Sequence, residues 1–97
     1  LPIHEKAVLL AVDNNTDNST TGDVYNKYQQ LCKKISLDPL TQRRISGLLS
    51  ELDTQGLINA SIINKGRHGR TKKISSLVPN ETIVKVFNDD PAANLLI

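Results

Sequence analysis

The side chains with the most evident chemistry form a basic cluster at residues 65–73. The cluster contains five cations and no acid: Lys65, Arg67, Arg70, Lys72 and Lys73. Removing these five from the 12 Lys and Arg leaves seven to face ten Asp and Glu, so the segment carries +5 and the remainder −3. A positive field segregated in this way favours the binding of phosphate groups.

The cluster also has the composition of a hairpin turn. Gly66 and Gly69 enclose Arg67 and His68, and glycine permits the positive φ angles of a tight turn. An alternative is an edge hairpin that lysine and arginine protect from aggregation. That alternative explains the charge, but not the combination of arginine with two glycines at the tip. Contact with phosphates or with a minor groove explains both.

A second group of candidate residues lies on a predicted helix that follows Leu40. Apolar residues at i, i+3, i+4 and i+7 give this helix one buried face: Ile45, Leu48, Leu49 and Leu52. The opposite face carries one large cation among small residues: Arg43, Ser46, Gly47, Ser50 and Thr54. Small side chains on that face would allow the helix axis to approach DNA closely.

Three residues of this helix are poor choices for its own stability. Arg43 and Arg44 lie in the first turn, where the helix dipole disfavours cations by roughly 0.3–1 kcal/mol each. Gly47 costs about 1 kcal/mol relative to alanine in a helix interior. Their concentration on the outer side indicates a ligand. The alternative is a solvated face that tolerates poor helix formers.

The flanking residues predict where the helix and hairpin begin and end. Thr41 is a suitable N-cap, Leu40 can pack on Ile45 as a hydrophobic staple, and Gly56 is placed to terminate the helix. Apolar residues then predict two strands on either side of the basic turn: Ile58, Ile62 and Ile63 before it, and Ile74 and Leu77 after it.

Two further helices are expected before this unit. The first should cover residues 2–13, with an apolar stripe of Ile3, Ala7, Leu10 and Ala11 and with His4 exposed near its start. Residues 14–20 are polar and aperiodic, which predicts a mobile loop.

The second helix opens at residues 21–23 and keeps helical spacing through Val24, Tyr28, Leu31, Cys32 and Ile35. Cys32 lies on that stripe, so we expect a buried thiol rather than a nucleophile. Residues 36–39 form a turn before the next helix.

A fourth helix should follow the hairpin. Asn80 is the expected N-cap of a helix over residues 81–89, with Ile83, Val84 and Phe87 facing inward. The predicted fold is therefore mainly α with a small antiparallel β-hairpin. It is a winged helix, a helix-turn-helix plus a β wing, in the order α-α-α-β-β-α. Residues 1–90 form the domain and residues 91–97 a tail whose apolar end can dock.

Composition bounds the class of protein. At 97 residues the chain is expected to form one small domain, and a single cysteine excludes an intrachain disulfide and favours a reducing compartment. No apolar run approaches the roughly 20 residues of a membrane span. The missing initial methionine suggests a chain excised from a longer polypeptide.

His4 and His68 lack an acid or metal partner, and no zinc-ligand spacing or Gly-Lys-Ser/Thr loop occurs. We therefore expect no enzymatic activity and no ATP binding by this chain.

The chain resembles the C-terminal winged-helix domain of archaeal Orc/Cdc6-type DNA replication initiators. The resemblance covers residues 1–87 and is carried by the segments LP at 1–2, HEKAVLLA at 4–11, TGDVY at 21–25, LTQRRIS at 40–46, ELD at 51–53, GLI at 56–58, and KGR to GRT at 65–71. Its most specific part is the combination of residues 40–46 with the wing at 65–71.

The resemblance implies that double-stranded DNA, at origin repeats, is the partner. Carried over by position, Thr41, Gln42, Arg43, Arg44 and Ser46 would face the major groove, and residues 67–70 the neighbouring minor groove. The complete set of expected DNA-binding residues is Thr41, Gln42, Arg43, Arg44, Ser46, Ser50, Lys65, Gly66, Arg67, His68, Gly69, Arg70, Thr71 and Lys72.

The resemblance also implies an AAA+ ATPase module upstream and contacts with that module and with the replicative helicase. No cofactor is expected in this fragment, and the location would be cytoplasmic and nucleoid-associated. Two other functions remain open. The domain could dock a replication partner rather than DNA, or it could serve a transcription regulator, which would usually need a dimerisation helix. Binding to random duplex at low salt separates the first of these from a DNA-binding role.

Overall fold

The chain forms a bundle of helices with a hairpin on one side. In the computed structural model, which describes residues 2–15, 19–64 and 70–97 (the backbone alone at 62–64 and 70–72), the elements are α1 (Ile3–Asn14), α2 (Thr21–Lys34), α3 (Gln42–Thr54), β1 (Ile58–Asn64), β2 (Arg70–Ser76), α4 (Asn80–Asn88) and a 3-10 helix (Ala93–Leu96). This is the predicted winged-helix order, and the helix boundaries agree with the prediction to within one or two residues.

Helix α1 lies at the centre of the core. Its six consecutive residues from Ala7 to Val12 are all buried, because α2, α3, β2 and the 3-10 helix pack around it. The sequence predicted a single apolar stripe, yet a helix that is apolar on all sides belongs in the interior. The other helices keep one buried face: Val24, Tyr28, Leu31 and Cys32 on α2, and Ile45, Leu49 and Leu52 on α3.

Local hydrogen bonds define both ends of α2. The Thr20 hydroxyl accepts from the Asp23 amide at 3.2 Å, while the Asp23 carboxylate accepts from the Thr20 amide at 3.0 Å, which is a capping box. At the other end Ser36 has φ 55°, and the Leu37 amide donates to the Cys32 carbonyl at 2.8 Å. This is a Schellman ending in which serine occupies the position that glycine usually takes.

The prediction of a mobile loop at residues 14–20 is wrong at its C-terminal end. Ser19 is buried, and its carbonyl accepts from the Ile74 amide at 2.8 Å, so it pairs with β2 on the edge opposite β1. Thr20 is the N-cap of α2. The sequence could not show this pairing, because it joins residues more than 50 positions apart. Residues 16–18 lie outside the described residues.

The C-terminal elements correct a second prediction. Asn80 is not the N-cap of α4, because Pro79 occupies that position and the Asn80 amide group instead donates to the Asp13 carboxylate at the end of α1. Ile83 and Phe87 are buried as predicted, and Val84 is half-buried. Ala93 and Leu96 are also buried, so part of the segment at 91–97 packs on the core.

Asp90 joins this C-terminal segment to α1. Its carboxylate forms an ion pair with Lys6 and accepts from the Ala92 and Ala93 amides at 2.9 and 3.2 Å. The hydrogen bond from Lys6, helped by these amides, lowers the pKa of Asp90 from 3.8 to about 2.

The structure also tests the expectations for the cysteine and for His4. Cys32 is a fully buried free thiol, as predicted, and burial raises its pKa. The expectation of an exposed His4 is wrong, because the ring is half-buried and its Nδ1 lies 2.7 Å from the Tyr28 hydroxyl.

Two features are absent from the described residues: a helix that could span a membrane and a cluster that could hold a metal ion. Within the described part of the chain, no helix has the length and apolar character needed to cross a membrane. No group of three His, Cys, Asp or Glu side chains in that same part could hold a metal ion.

Candidate nucleic-acid interface

Helix α3 begins and ends where the sequence predicted. The Thr41 hydroxyl accepts from the Arg44 amide at 3.2 Å and so caps the first turn. At the other end Gly56 has φ 79°, with the Gly56 amide bonded to the Asp53 carbonyl and the Leu57 amide to the Leu52 carbonyl, each at 3.0 Å. This Schellman ending turns the chain directly into β1.

The side chains on the outer face of α3 are small and project little from the helix backbone. The hydroxyls of Ser46, Ser50 and Thr54 each fold back to donate to the carbonyl four residues earlier, at 3.2, 3.2 and 3.0 Å. Gly47 lies on the same face, and a Cβ built there would meet no atom within 4 Å. A surface made of one glycine and three folded hydroxyls allows another molecule to approach the helix backbone.

Arg43 lies on this face in the exposed first turn of the helix, and Arg44, which is also exposed, lies at the edge of the face. Among the described residues the one ion pair joins Lys6 and Asp90, so neither guanidinium is neutralised by a carboxylate of that set. The exposed acids of α3, Glu51 and Asp53, lie in its last turns. The N-terminal end of α3 is therefore the positive end, and the opposite end is acidic.

Hydrogen bonds connect the C-terminal end of α3 to the base of the hairpin. The Asp53 carboxylate accepts from the Ala60 amide of β1 at 3.4 Å, and the Leu77 amide donates to the Leu57 carbonyl at 3.0 Å. Ile58 and Ile74 are buried beneath the two strands. The strands pair antiparallel from Ile58 opposite Ser76 to Asn64 opposite Arg70. The hairpin thus continues from α3 with its base fixed to the core.

The predicted site residues fall into three groups. Those on or next to α3 are exposed (Thr41, Gln42, Arg43, Arg44 and Ser50) or half-buried (Ser46). The backbones of Arg70, Thr71 and Lys72 belong to β2, where they pair with Asn64, Ile63 and Ile62. Lys65, Gly66, Arg67, His68 and Gly69 lie outside the described residues, so the placement of the hairpin tip stays a prediction.

Sequence reasoning missed two tyrosines that contact the residue before the N-cap of α3, and a histidine that contacts one of them. The hydroxyls of Tyr25 and Tyr28 both reach the backbone of Leu40, and His4 contacts Tyr28. Tyr28 had been assigned only to the apolar stripe. The spacing of two tyrosines by one helical turn before a short linker is a signal that could have suggested a shared target.

Comparison with known proteins gives a consistent result. The family model for the CDC6 C-terminal winged-helix domain matches residues 1–86. ORC1-type DNA replication protein 7 of Halobacterium salinarum is 48% identical over 94 residues, which cover 93% of this chain and 18% of that protein. The chain therefore spans less than a quarter of the length of this relative.

Two solved structures have the same fold. The Aeropyrum pernix ORC1 protein, solved in complex with DNA, matches with a TM-score of 0.87 and 31% identity over all of this chain and 26% of its own. CDC6P from Pyrobaculum aerophilum matches with a TM-score of 0.70 at 23% identity, over 99% of this chain and 24% of its own. With helix order, hairpin and sequence all in agreement, the chain belongs to the family of CDC6 C-terminal winged-helix domains, whose relatives here are archaeal ORC1-type DNA replication proteins.

Proposed function

We propose that this chain binds double-stranded DNA, with α3 in the major groove and the hairpin on the backbone and the neighbouring minor groove. The observation that carries the proposal is the outer face of α3, where a surface of small side chains begins at the exposed Arg43, with the exposed Arg44 at its edge. The Aeropyrum pernix ORC1 protein was solved in complex with DNA, which supports the same partner for this chain.

The two parts of the site would do different work. The cations of the hairpin and the amides of the first turn of α3 neutralise phosphates and set the register on the duplex. Arg43 or Arg44 reads guanine by a bidentate contact, and Gln42 reads adenine in the same way. In the longer relatives we expect repeats at replication origins to be the target. We also expect an upstream AAA+ module to supply ATP hydrolysis, and that module and the replicative helicase to be partners.

A salt titration tests the phosphate component. If about five phosphates are neutralised, log K should fall against log salt with a slope of about −4 to −5. Arg67→Ala should weaken binding to all sequences alike and reduce the slope by about one. Lys85→Ala removes an exposed cation from α4, outside the proposed interface, and is the matched control. An affinity that hardly depends on salt would contradict the role given to the hairpin.

A comparison of sequences tests the reading component. Footprinting of the chain on origin-derived and random duplexes should show tighter binding to the origin-derived DNA. Arg43→Ala should narrow that difference by a factor of about 5 to 100, because a bidentate contact to guanine is worth roughly 1–3 kcal/mol. An unchanged ratio in Arg43→Ala would remove Arg43 from the reading residues.

A protein-docking role is the second candidate function. Leu77, Val86 and Leu95 are large apolar residues that are each more than half exposed. Such residues are common at protein interfaces, although single exposed apolar residues are also normal. Failure of the wild-type chain to bind random duplex at low salt would favour this role over DNA binding.

A further inference from the structure

Two tyrosines of α2 hold the peptide groups of Leu40, which precedes the N-cap of α3. The Tyr28 hydroxyl oxygen accepts from the Leu40 amide at 2.8 Å, and the Tyr25 hydroxyl donates to the Leu40 carbonyl at 2.9 Å. The two tyrosines are three residues apart, so they lie on the same side of α2, with ring centroids 5.9 Å apart. We refer to Tyr25, Tyr28 and the Leu40 backbone as the tyrosine clamp.

His4 completes the hydrogen bonding of the clamp. Tyr28 is fully buried and its oxygen already accepts the Leu40 amide, so its own proton is free for another acceptor. His4 Nδ1, on the first turn of α1, lies 2.7 Å from that hydroxyl. A neutral His4 with its proton on Nε2 satisfies this arrangement. The first turn of α1, helix α2 and the start of α3 therefore meet at one backbone position.

The clamp holds Leu40, whose half-buried side chain packs against the core just before the exposed first turn of α3. The apolar contacts of the helix begin only at Ile45, and every residue from Thr41 to Arg44 is exposed. Ile45, Leu49 and Leu52 fix the distance of α3 from the core, but they leave the first turn unpacked. The hydrogen bonds of the clamp are made to Leu40, which lies two residues before Gln42 and three before Arg43.

We propose that Tyr25 and Tyr28 are positioning residues for DNA binding, which aim the first turn of α3 and its arginines at the duplex. The inference rests on the proposed function. It adds to that function a specific cause for the orientation of Gln42, Arg43 and Arg44. His4 serves as the acceptor that keeps the Tyr28 oxygen available to the Leu40 amide.

The test compares Tyr25→Phe and Tyr28→Phe with the wild-type chain, using a fluorescein-labelled origin-derived duplex at fixed salt. Each variant removes one hydroxyl and keeps the ring. Each should lose affinity by about 3- to 10-fold, the factor that one protein hydrogen bond typically represents. Ile83→Val, a buried substitution on α4, gives a comparable small loss of stability away from α3 and should bind like the wild type.

Two further measurements separate positioning from general stability. In a background that carries both Arg43→Ala and Arg44→Ala, the Tyr25→Phe change should reduce affinity much less than it does alone, because the clamp acts mainly through these two arginines. In NMR spectra, Tyr25→Phe should shift the amides of residues 40–44 and leave those of α4 unchanged. If Tyr28→Phe does not fold, Tyr25, which is half-buried, provides the test.

The outcomes distinguish this inference from the proposed function. A wild-type chain that binds no duplex overturns both. The positioning role alone is overturned if the wild-type chain binds and the tyrosine variants, having lost their hydrogen bonds to the Leu40 amide or carbonyl, bind with unchanged affinity. Equal losses of affinity with and without the two arginines, Arg43 and Arg44, also overturn it.

Discussion

Replacing Gly47 should raise the stability of the domain and lower its affinity for DNA. The residue lies in the interior of α3 on the exposed face, and a Cβ there would meet no atom within 4 Å. A side chain therefore has room in the free protein. Among the described residues none would clash with it, so we expect the clash to arise with a ligand bound on the outer face of the helix.

The expected magnitudes follow from helix propensity and from the size of the added group. Gly47→Ala should raise the free energy of unfolding by about 1 kcal/mol, because alanine loses less backbone entropy than glycine in a helix interior. In a domain of this size that corresponds to a rise in Tm of about 4–8 °C. A methyl group on the face that meets the duplex holds the helix away and weakens the base contacts of Arg43. Loss of one such contact would reduce affinity by a factor of about 5 to 100.

A size series makes the assay sharper. Gly47→Leu should stabilise the chain about as much as Gly47→Ala, since both residues are strong helix formers, but it should reduce affinity further. Thr82→Ala on α4 is the control, because it improves helix propensity at an exposed position outside the interface. Urea unfolding gives the stability and fluorescence anisotropy gives the affinity. More stable Gly47 variants that bind DNA as tightly as the wild type would refute the placement of this face in a groove.

Three smaller predictions concern the rest of the fold. Ser36→Gly should stabilise the chain by about 0.5–1 kcal/mol in urea unfolding, since glycine adopts the observed φ of 55° without strain, whereas Ser36→Ala should not stabilise it. Asp90 has a pKa lowered from 3.8 to about 2, so its charged form adds stability above about pH 4 that is lost as the pH falls toward 2. The stability difference between wild type and Asp90→Asn should disappear over that range, and a constant difference would contradict the role of the Lys6 pair. The Cys32 thiol should react with a disulfide reagent far more slowly in the native chain than in denaturant, because burial shields it and raises its pKa.

Local patterns predicted the elements closest to the proposed interface. The apolar spacing of Ile45, Leu49 and Leu52, the N-cap Thr41 and the terminating Gly56 are each set by neighbours within one or two turns, and all are confirmed. The outer face of α3 could also be derived, because helical geometry places every side chain once the buried face is known.

Contacts between distant segments could not be predicted in this way. Ser19 pairs with Ile74, Asn80 bonds to Asp13 instead of capping its helix, and His4 reaches Tyr28. Each of these polar residues has a local role that its sequence neighbours favour, and the tertiary fold supplies a different partner. The tyrosine clamp was missed for the same reason, since the spacing of Tyr25 and Tyr28 can suggest a shared target but does not identify Leu40 as that target.

The backbone bond between Ser19 and Ile74 has a mechanical consequence. It gives the two-stranded sheet one further backbone bond on the edge of β2 opposite β1, so the base of the hairpin is tied to the segment that precedes α2. A duplex that pulled on the hairpin would load Thr20 and the first turn of α2 through this bond. Since α2 also carries Tyr25 and Tyr28, force applied at the hairpin would reach the start of α3 along a second route, separate from the direct connection at Gly56. We therefore expect the base of the hairpin and α3 to move together when a bound groove is bent or widened.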